Sequence, residues 1–313
     1  MTRPKLRMAA IGVAAATLLA TAACGSNSGT GQAGGGGGQG GGGGQGGSSS
    51  QVDASLAKLV PQSIKSDGQV TVATDPSYAP MEFVASDGST IIGVDPELGK
   101  ALGQVLGVKF VFQKATFDGI IPGLSSGKYE LGMSSFTDTK ERQKVVNFAT
   151  YFKAGTALMV PSGNPKHLST SDNTTLCGTS MGAEKGTIQA DDIASRSKKC
   201  TAAGKPAISE KVFPDQNAVN LALATGRIDA ALADSGVAGY MAKQSGGKFE
   251  IVGQPYATAP YGIAIPKNSG SFDKAIQGAV DKLIQNGTYM KILKKWSATQ
   301  GAISQSQINA AVS

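Results

Sequence analysis

One stretch organises the rest of the chain: Gly132-Met133-Ser134-Ser135-Phe136-Thr137-Asp138-Thr139-Lys140-Glu141-Arg142. It follows Leu131, which ends a short run typical of a buried strand, and a helix is predicted to begin near Thr139. Hydroxyls, free backbone N–H groups and one guanidinium are therefore predicted to lie close together. Such a group can hold a carboxylate, because arginine binds it bidentately and a helix start adds N–H donors and a favourable dipole. An ordinary strand–turn–helix with a surface arginine explains the stretch equally well, so the rest of the chain must decide.

The N-terminus has the pattern of an export signal. Three basic residues precede an apolar, alanine-rich run over residues 8–23, which is short for a membrane span. The run ends in Leu19-Ala20-Thr21-Ala22-Ala23-Cys24, which resembles a lipobox. We expect residues 1–23 to be a lipoprotein signal peptide and Cys24 to carry the lipid that anchors the protein to the outer face of the cell membrane. In the alternative, the signal peptide is a plain one and the cysteine is incidental.

Residues 24–50 combine this cysteine with a segment made almost entirely of Gly, Gln, Ser, Asn and Thr. Such a composition cannot build a core, so we expect a flexible tether. The glycine runs lack the Gly-Lys-Ser/Thr ending of a phosphate-binding loop. Removal of residues 1–23 lowers the net charge from +7 to +4, which does not indicate nucleic-acid binding.

Two further cysteines, Cys177 and Cys200, can be oxidised in an exported protein. A disulfide between them would close a 24-residue loop and add roughly 3 kcal/mol in the chain-entropy model. With a single histidine in the chain, His167, neither a zinc site nor a Ser–His–Asp set is predicted. We therefore expect no metal, no cofactor and no catalytic residue.

Strand and helix patterns alternate after residue 68. Gln69-Val70-Thr71-Val72-Ala73-Thr74 is typical of a strand, and apolar residues at helical spacing follow Gly93-Val94-Asp95-Pro96-Glu97. Asp95 is predicted to cap that helix and Glu97 to suit its dipole, so neither is assigned to a site. The alternation predicts an α/β fold with a mostly parallel sheet.

Four motifs follow one another along the chain: Asp75-Pro76-Ser77-Tyr78-Ala79-Pro80, residues 93–98, Phe117-Asp118-Gly119-Ile120-Ile121-Pro122-Gly123-Leu124 and residues 133–142. In order and spacing they resemble the polar amino-acid-binding proteins of ABC importers. The resemblance extends from about Gln69 to Trp296. It implies a periplasmic binding protein of type II, in which two Rossmann-like lobes with mixed, mostly parallel sheets are joined by two crossing hinge strands. We expect lobe 1 over residues 51–158 and 259–298, lobe 2 over residues 159–258, and a loosely held tail over residues 299–313.

The resemblance also implies a ligand site between the lobes. Arg142 would hold the α-carboxylate of an amino acid and Asp234 its α-ammonium, while Asp75 and Glu184 would lie near the end of its side chain. The remaining expected ligand-binding residues are aromatic, hydroxyl or apolar: Tyr78, Phe117, Ser134, Ser135, Thr137, Thr187 and Ile188. Ordinary roles compete with these assignments, because a strand-end aspartate often caps a helix and aromatic side chains often fill a core.

Two carboxylates at the far end of the site favour a basic ligand such as arginine, lysine or ornithine, and they could also accept from the amide of glutamine. We expect the order basic, then neutral, then acidic, although the neighbouring Lys185 could offset the repulsion of an acid. The protein is expected to be a monomer that closes on its ligand and delivers it to a membrane permease. The alternatives are a dehydratase-like enzyme on the same fold and an amino-acid-sensing receptor component.

Overall fold

The computed structural model describes residues 52–311. The predicted signal peptide, the lipidation site at Cys24 and the tether to residue 50 lie outside the described residues. None of the helices within residues 52–311 is both long enough and apolar enough to cross a membrane.

The described residues begin in the first lobe, where helices alternate with strands. These elements are α1 (Ala54–Ala57), α2 (Gln62–Asp67), β1 (Gln69–Thr74), β2 (Ser77–Tyr78), β3 (Glu82–Val84), β4 (Ile91–Ile92), α3 (Val94–Leu106), β5 (Lys109–Lys114), α4 (Phe117–Ser125), β6 (Leu131–Gly132) and α5 (Lys140–Gln143). Strand β7 (Val146–Pro161) then leads into the second lobe.

The second lobe repeats the alternation. It contains a 3₁₀ turn (Asn173–Leu176), β8 (Ser180–Glu184), α6 (Ile188–Ala202), β9 (Ser209–Phe213), α7 (Gln216–Ala224), β10 (Ala230–Asp234) and α8 (Ser235–Gln244). Strand β11 (Phe249–Pro266) returns to the first lobe, which α9 (Phe272–Gln285), α10 (Thr288–Lys295) and a 3₁₀ turn (Thr299–Gly301) complete.

One eight-stranded sheet runs through both lobes in the order β5-β1-β6-β11-β7-β10-β8-β9. Strand β1 is parallel to β5 and β6, and β8 is parallel to β9 and β10, whereas β7 and β11 are antiparallel to their neighbours. A small antiparallel sheet, β2-β3-β4, follows β1. The predicted α/β fold with a mixed, mostly parallel sheet is confirmed.

Strands β7 and β11 are shared by the two lobes. They pair along most of their 16 and 18 residues, and the register shifts between Val252 and Tyr256 and again before Ala259. The two crossing strands that the resemblance implied are long, and their outer halves pair with each other inside each lobe. The lobe boundaries predicted at residues 158 and 259 fall within these two strands.

The C-terminal tail differs from the loosely held segment that its polar sequence predicted. The Thr150 backbone N–H donates to the Gln307 carbonyl at 2.9 Å, and the Ser306 hydroxyl donates to the Thr150 carbonyl at 2.6 Å. Within the sheet β10 pairs with β7 only at residues 156–159, so the edge of β7 near residue 150 is open in lobe 1. The tail covers this edge, because unpaired strand groups need hydrogen-bond partners.

The predicted capping role of Asp95 is wrong. Gly93 occupies the N-cap of α3, and the Asp95 side chain is fully buried in contact with residues distant in sequence. The expected disulfide is confirmed: Cys177 and Cys200 are joined, which ties the end of the first 3₁₀ turn to α6.

Candidate functional site

A small cavity with about 290 Å³ of non-atom space lies between the lobes. All of the ligand-binding residues expected from the sequence line it, together with Glu82 and Gln189, which the sequence did not indicate. The expected set is Asp75, Tyr78, Phe117, Ser134, Ser135, Thr137, Arg142, Glu184, Thr187, Ile188 and Asp234. The structure thus brings together residues from five separate stretches of the chain: residues 75–82, 117, 134–142, 184–189 and 234.

The parallel strands explain this convergence. Asp75 directly follows β1, and Ser134 lies two residues beyond β6, while Glu184 and Asp234 end β8 and β10. The carboxyl ends of parallel strands meet at one edge of a sheet, which is where ligands bind in open α/β folds. Each lobe therefore presents polar strand ends to the same cavity.

Arg142 is held by both lobes. Thr139 caps α5 by accepting from the Arg142 backbone N–H at 3.2 Å, which sets the direction of the side chain. Its Nη1 donates to the Thr137 carbonyl at 2.8 Å and its Nη2 to the Gly186 carbonyl of the second lobe at 2.9 Å. Burial lowers the pKa of Arg142 to about 10, so the group remains cationic at neutral pH. The guanidinium is a fixed positive charge at one end of the cavity.

Two stacked aromatic rings support that guanidinium. The rings of Phe117 and Phe136 stack with centroids 4.4 Å apart, and the central carbon of the Arg142 guanidinium lies 5.3 Å from each centroid. The arrangement favours a cation by the attraction between charge and ring face. Phe117 therefore serves both the core and the cavity wall.

Asp234 receives donors from both lobes. The Tyr78 hydroxyl, from the first lobe, donates to Oδ2 at 2.9 Å, and the Gln189 amide donates to Oδ1 at 2.9 Å. The Asp234 backbone N–H in turn donates to the Tyr78 hydroxyl at 3.1 Å. Burial raises the pKa of Asp234, and the hydrogen bonds oppose that rise. This acid is thus a firmly positioned acceptor rather than a side-chain cap of α8.

Glu184 is the least satisfied acid of the cavity. It is 2% exposed, and its Oε1 receives no hydrogen bond from any residue in the range 52–311. Burial, together with the negative charges of Asp75 and Asp215, raises the pKa of Glu184 to about 9. An acceptor in this state has an unmet need for a donor or a cation.

Asp75 faces Glu184 from the other lobe. Its Oδ2 accepts from the Phe117 backbone N–H at 3.1 Å, and burial raises its pKa. Lys185 does not offset these acids, because its ammonium lies 2.8 Å from Asp118 at the rim and the side chain is 64% exposed. This end of the cavity is therefore acidic.

Three of the expected hydroxyls are already engaged. The Ser134 hydroxyl accepts from the Asp75 backbone N–H at 2.9 Å, and the Ser135 hydroxyl donates to Glu82 at 3.1 Å. The Thr187 hydroxyl donates to the Glu184 carbonyl at 2.7 Å and caps α6. These groups shape the wall of the cavity.

The lobes are in contact around the cavity. Besides the contacts of Tyr78 and Arg142, the Gln216 backbone N–H donates to the Ser77 hydroxyl at 3.1 Å across the cleft. At Gly186 an added Cβ would lie 2.9 Å from the Cβ of Asp118. The structure is a closed form of the two lobes.

The sequence missed Glu82 and Gln189 for different reasons. Gln189 is the second residue of the helix that Thr187 caps, so a cavity-facing helix start was a signal that could have found it. Glu82 lies on a three-residue strand, whose short alternation does not indicate which face is buried.

Comparison with known proteins agrees with this geometry. The model of bacterial extracellular solute-binding proteins, family 3, matches residues 70–299. The arginine-binding protein ArgT of Corynebacterium glutamicum is 32% identical over 80% of this chain and 81% of its own length. An ancestral arginine-binding protein bound to arginine has a similar structure, with a TM-score of 0.68 and 34% identity over 73% of this chain and 98% of that one.

A structure of an ancestral arginine-binding protein bound to glutamine gives a TM-score of 0.67 and 34% identity, and covers 74% of this chain and 98% of that one. These relatives are binding proteins and not enzymes, and the solved structures identify the fold as the type II periplasmic binding protein fold. The chain belongs to the bacterial extracellular solute-binding proteins of family 3.

Proposed function

We propose that this protein binds L-arginine between its lobes and delivers it to the permease of an ABC importer. The observation that carries the proposal is the unsatisfied, buried carboxyl group of Glu184 at the acidic end of a cavity whose other end holds Arg142. A ligand that is anionic at one end and cationic at the other satisfies both ends at once.

In the proposed pose, the α-carboxylate of the ligand pairs with Arg142 and replaces the contacts of the guanidinium with the Thr137 and Gly186 carbonyls. Its α-ammonium donates to Asp234, whose oxygens are oriented by Tyr78 and Gln189. Charge-assisted hydrogen bonds of this kind are shorter and stronger than neutral ones. These contacts are to groups that every amino acid carries, so they supply affinity without choosing the side chain.

Glu184 and Asp75 determine which ligand side chain the cavity prefers. A guanidinium carries five donors in a planar fork and would supply the donor that Glu184 Oε1 lacks. Lysine or ornithine would bring charge with fewer donors, whereas a glutamate side chain would bring a further negative charge beside Asp75. The similar proteins that bind arginine support the same assignment.

Glutamine is the second candidate. With its pKa near 9, the Glu184 carboxyl is neutral at neutral pH and could exchange hydrogen bonds with a side-chain amide without any ionisation. An ancestral relative has been seen with glutamine bound.

Closure of the lobes provides the signal for delivery. A ligand that contacts both lobes favours the closed form, and the closed form is the one that we expect to dock on the permease. We further propose that the protein acts as a monomer held to the membrane by a lipid on Cys24. The support for that anchor is the small-residue motif before the cysteine and the glycine-rich segment after it.

Calorimetric titration tests the ligand. The protein is unfolded, dialysed and refolded to remove bound amino acids, then titrated with arginine, lysine, ornithine, glutamine and glutamate. We expect arginine to bind most tightly and glutamate most weakly. Tightest binding of glutamate would overturn the proposal, and recovery of a chemically altered ligand after denaturation would identify an enzyme instead.

A further inference from the structure

Two acidic side chains are completely buried next to Ser134 and Ser135, which form a turn in the cavity wall that we call the serine turn. Glu82 lies on β3 and Asp95 is the second residue of α3, and both are 0% exposed. Neither acid takes part in the ligand contacts proposed above. Burying a pair of carboxyl groups costs free energy unless their oxygens have hydrogen-bond partners.

Each acid contacts the serine turn. Glu82 accepts from the Ser134 hydroxyl at 3.3 Å on Oε1 and from the Ser135 hydroxyl at 3.1 Å on Oε2. Asp95 Oδ2 accepts from the Ser135 backbone N–H at 3.3 Å and from the Tyr151 hydroxyl at 2.8 Å. The turn is thus held through both hydroxyls and one backbone N–H.

The remaining oxygen, Asp95 Oδ1, receives no donor from the residues of the range 52–311. Burial raises the pKa of both carboxyl groups, and the negative charge of Asp95 raises the pKa of Glu82 further. Two negative charges beside one residue in a buried site repel each other, and a shared proton would remove that repulsion. Both acids contact Ser135, and a proton on Glu82 would give Asp95 Oδ1 the donor that it lacks.

We propose that Glu82 and Asp95 share one proton and act as positioning residues, locking the Ser134–Ser135 turn that forms one wall of the amino-acid site. The proposal rests on the proposed function in taking that cavity as the amino-acid site.

Two features of the turn show why positioning is needed. Ser135 has a φ of +51°, a left-handed conformation that a non-glycine residue adopts only when its surroundings hold it there. Its N–H and its hydroxyl are held by the two acids. The Ser134 hydroxyl also accepts from the Asp75 backbone N–H, so the pair fixes the acid that faces the far end of the ligand.

The surroundings of the pair oppose loss of its proton. The titratable groups that act on Glu82 are Asp95, from α3, and Asp75, which follows β1, and Tyr151 on β7 contacts Asp95. If the pair of Glu82 and Asp95 lost its proton, its second negative charge would be repelled by the first and by Asp75. Alkaline pH is therefore expected to destabilise the first lobe.

Asp95→Asn tests the shared proton. The amide oxygen can accept from Ser135 and Tyr151, and the amide N–H₂ can donate to an ionised Glu82, so the network and its single negative charge survive without a titrating proton. Asp95→Ala removes the network, and Asp67→Asn makes the same Asp-to-Asn change at an exposed position of the same lobe.

Two readouts need no ligand. Infrared difference spectra of wild type against Asp95→Asn should show the carbonyl band of a protonated carboxylic acid in the wild type only, and Asp67→Asn should leave it. The folding equilibrium constant of the wild type should fall with rising pH, by up to about tenfold per pH unit for each proton taken up on folding. Asp95→Asn should take up one proton fewer on folding, so its folding equilibrium constant should change less steeply with pH. A retained band and an unchanged slope would overturn the shared proton.

A third readout concerns positioning. Arginine titration should give Asp95→Asn an affinity within about threefold of wild type and Asp95→Ala an affinity at least about tenfold weaker. Normal affinity in Asp95→Ala, or equal losses in both variants, would overturn the positioning role. If wild type fails to bind arginine, the proposed function fails by itself. The infrared and stability measurements then still test the shared proton of Glu82 and Asp95. Titration with glutamine in place of arginine tests the positioning role.

Discussion

Replacing Glu184 by glutamine should change the preference of the cavity from a cationic to a neutral side chain. Burial and the neighbouring charges of Asp75 and Asp215 raise the pKa of this 2% exposed carboxyl to about 9. Glutamine has nearly the shape of a protonated glutamate, so the substitution removes the ionisable proton and leaves the cavity volume almost unchanged.

The expected difference in arginine affinity between wild type and Glu184→Gln follows from two opposing energies. At about pH 7, ionising Glu184 in the closed cavity costs about two pKa units, or roughly 2.7 kcal/mol. A guanidinium about 4 Å away attracts the carboxylate by roughly 4 kcal/mol at an effective dielectric constant of about 20. The attraction exceeds the cost by roughly 1.3 kcal/mol, so wild type should bind arginine about tenfold more tightly than the variant.

The ratio of the two affinities should depend on pH in a defined direction. Glu184 is protonated below its pKa, so raising the pH lowers the cost of ionising it by about 1.4 kcal/mol per pH unit. At about pH 8 the wild type should therefore bind arginine about a hundredfold more tightly than Glu184→Gln. The titration of the ligand's own amino group cancels, because both proteins bind the same ligand.

The assay is calorimetric titration of both proteins with arginine and with glutamine at the two pH values. Glutamine affinity should change little, since the neutral ligand does not require an ionised Glu184. Glu210→Gln is the matched control, because it makes the same change at an exposed position of β9, the neighbouring strand of the same lobe. Equal arginine affinity of wild type and Glu184→Gln at both pH values would refute the placement of the guanidinium against this acid.

Three further outcomes follow from the site and its support. Arg142→Ala should weaken calorimetric binding of every amino acid by several kcal/mol, because the shared carboxylate loses its charged donor, and near-normal affinity would contradict that role. Gly186→Ala should weaken arginine binding at least about tenfold by keeping the lobes apart. Gly204→Ala has a similar positive φ with no atoms nearby, and should leave affinity unchanged; equal losses in the two would argue against a steric block. The double variant Cys177→Ala/Cys200→Ala should lower the free energy of unfolding by about 3 kcal/mol in denaturant titration while arginine affinity is kept, and an unchanged midpoint would contradict it.

Much of the candidate site could be predicted because four motifs of the sequence resemble those of a known family, and that resemblance implied the ligand-binding residues. Local pattern alone places Arg142 after a strand, a polar turn and a helix cap within eleven residues, and Asp234 at the end of an apolar strand. Parallel strands present their carboxyl ends at one edge, which explains why these residues lie near each other.

Asp95 shows where local pattern misleads. Its position before Pro96 suits a helix cap as well as any aspartate does, and the sequence offers no sign of its true partners. Those partners are Ser135, 40 residues away, and Tyr151, 56 residues away. The prediction of a loosely held tail was wrong for the same reason, because the tail pairs with a strand edge that exists only after the lobes form.

The sequence by itself determined the α/β class, the sulfur atoms available for a disulfide and the set of polar strand ends, because these depend on composition, periodicity and short-range spacing. Only the tertiary structure decided which side chains are desolvated together. The contacts of Glu82 and Asp95 with Ser135, the Glu184 oxygen without a hydrogen bond and the bonds from Arg142 to both lobes all depend on atoms brought close together by folding. Burial, rather than residue type, turns ordinary acids into groups with raised pKa values and unmet hydrogen bonds.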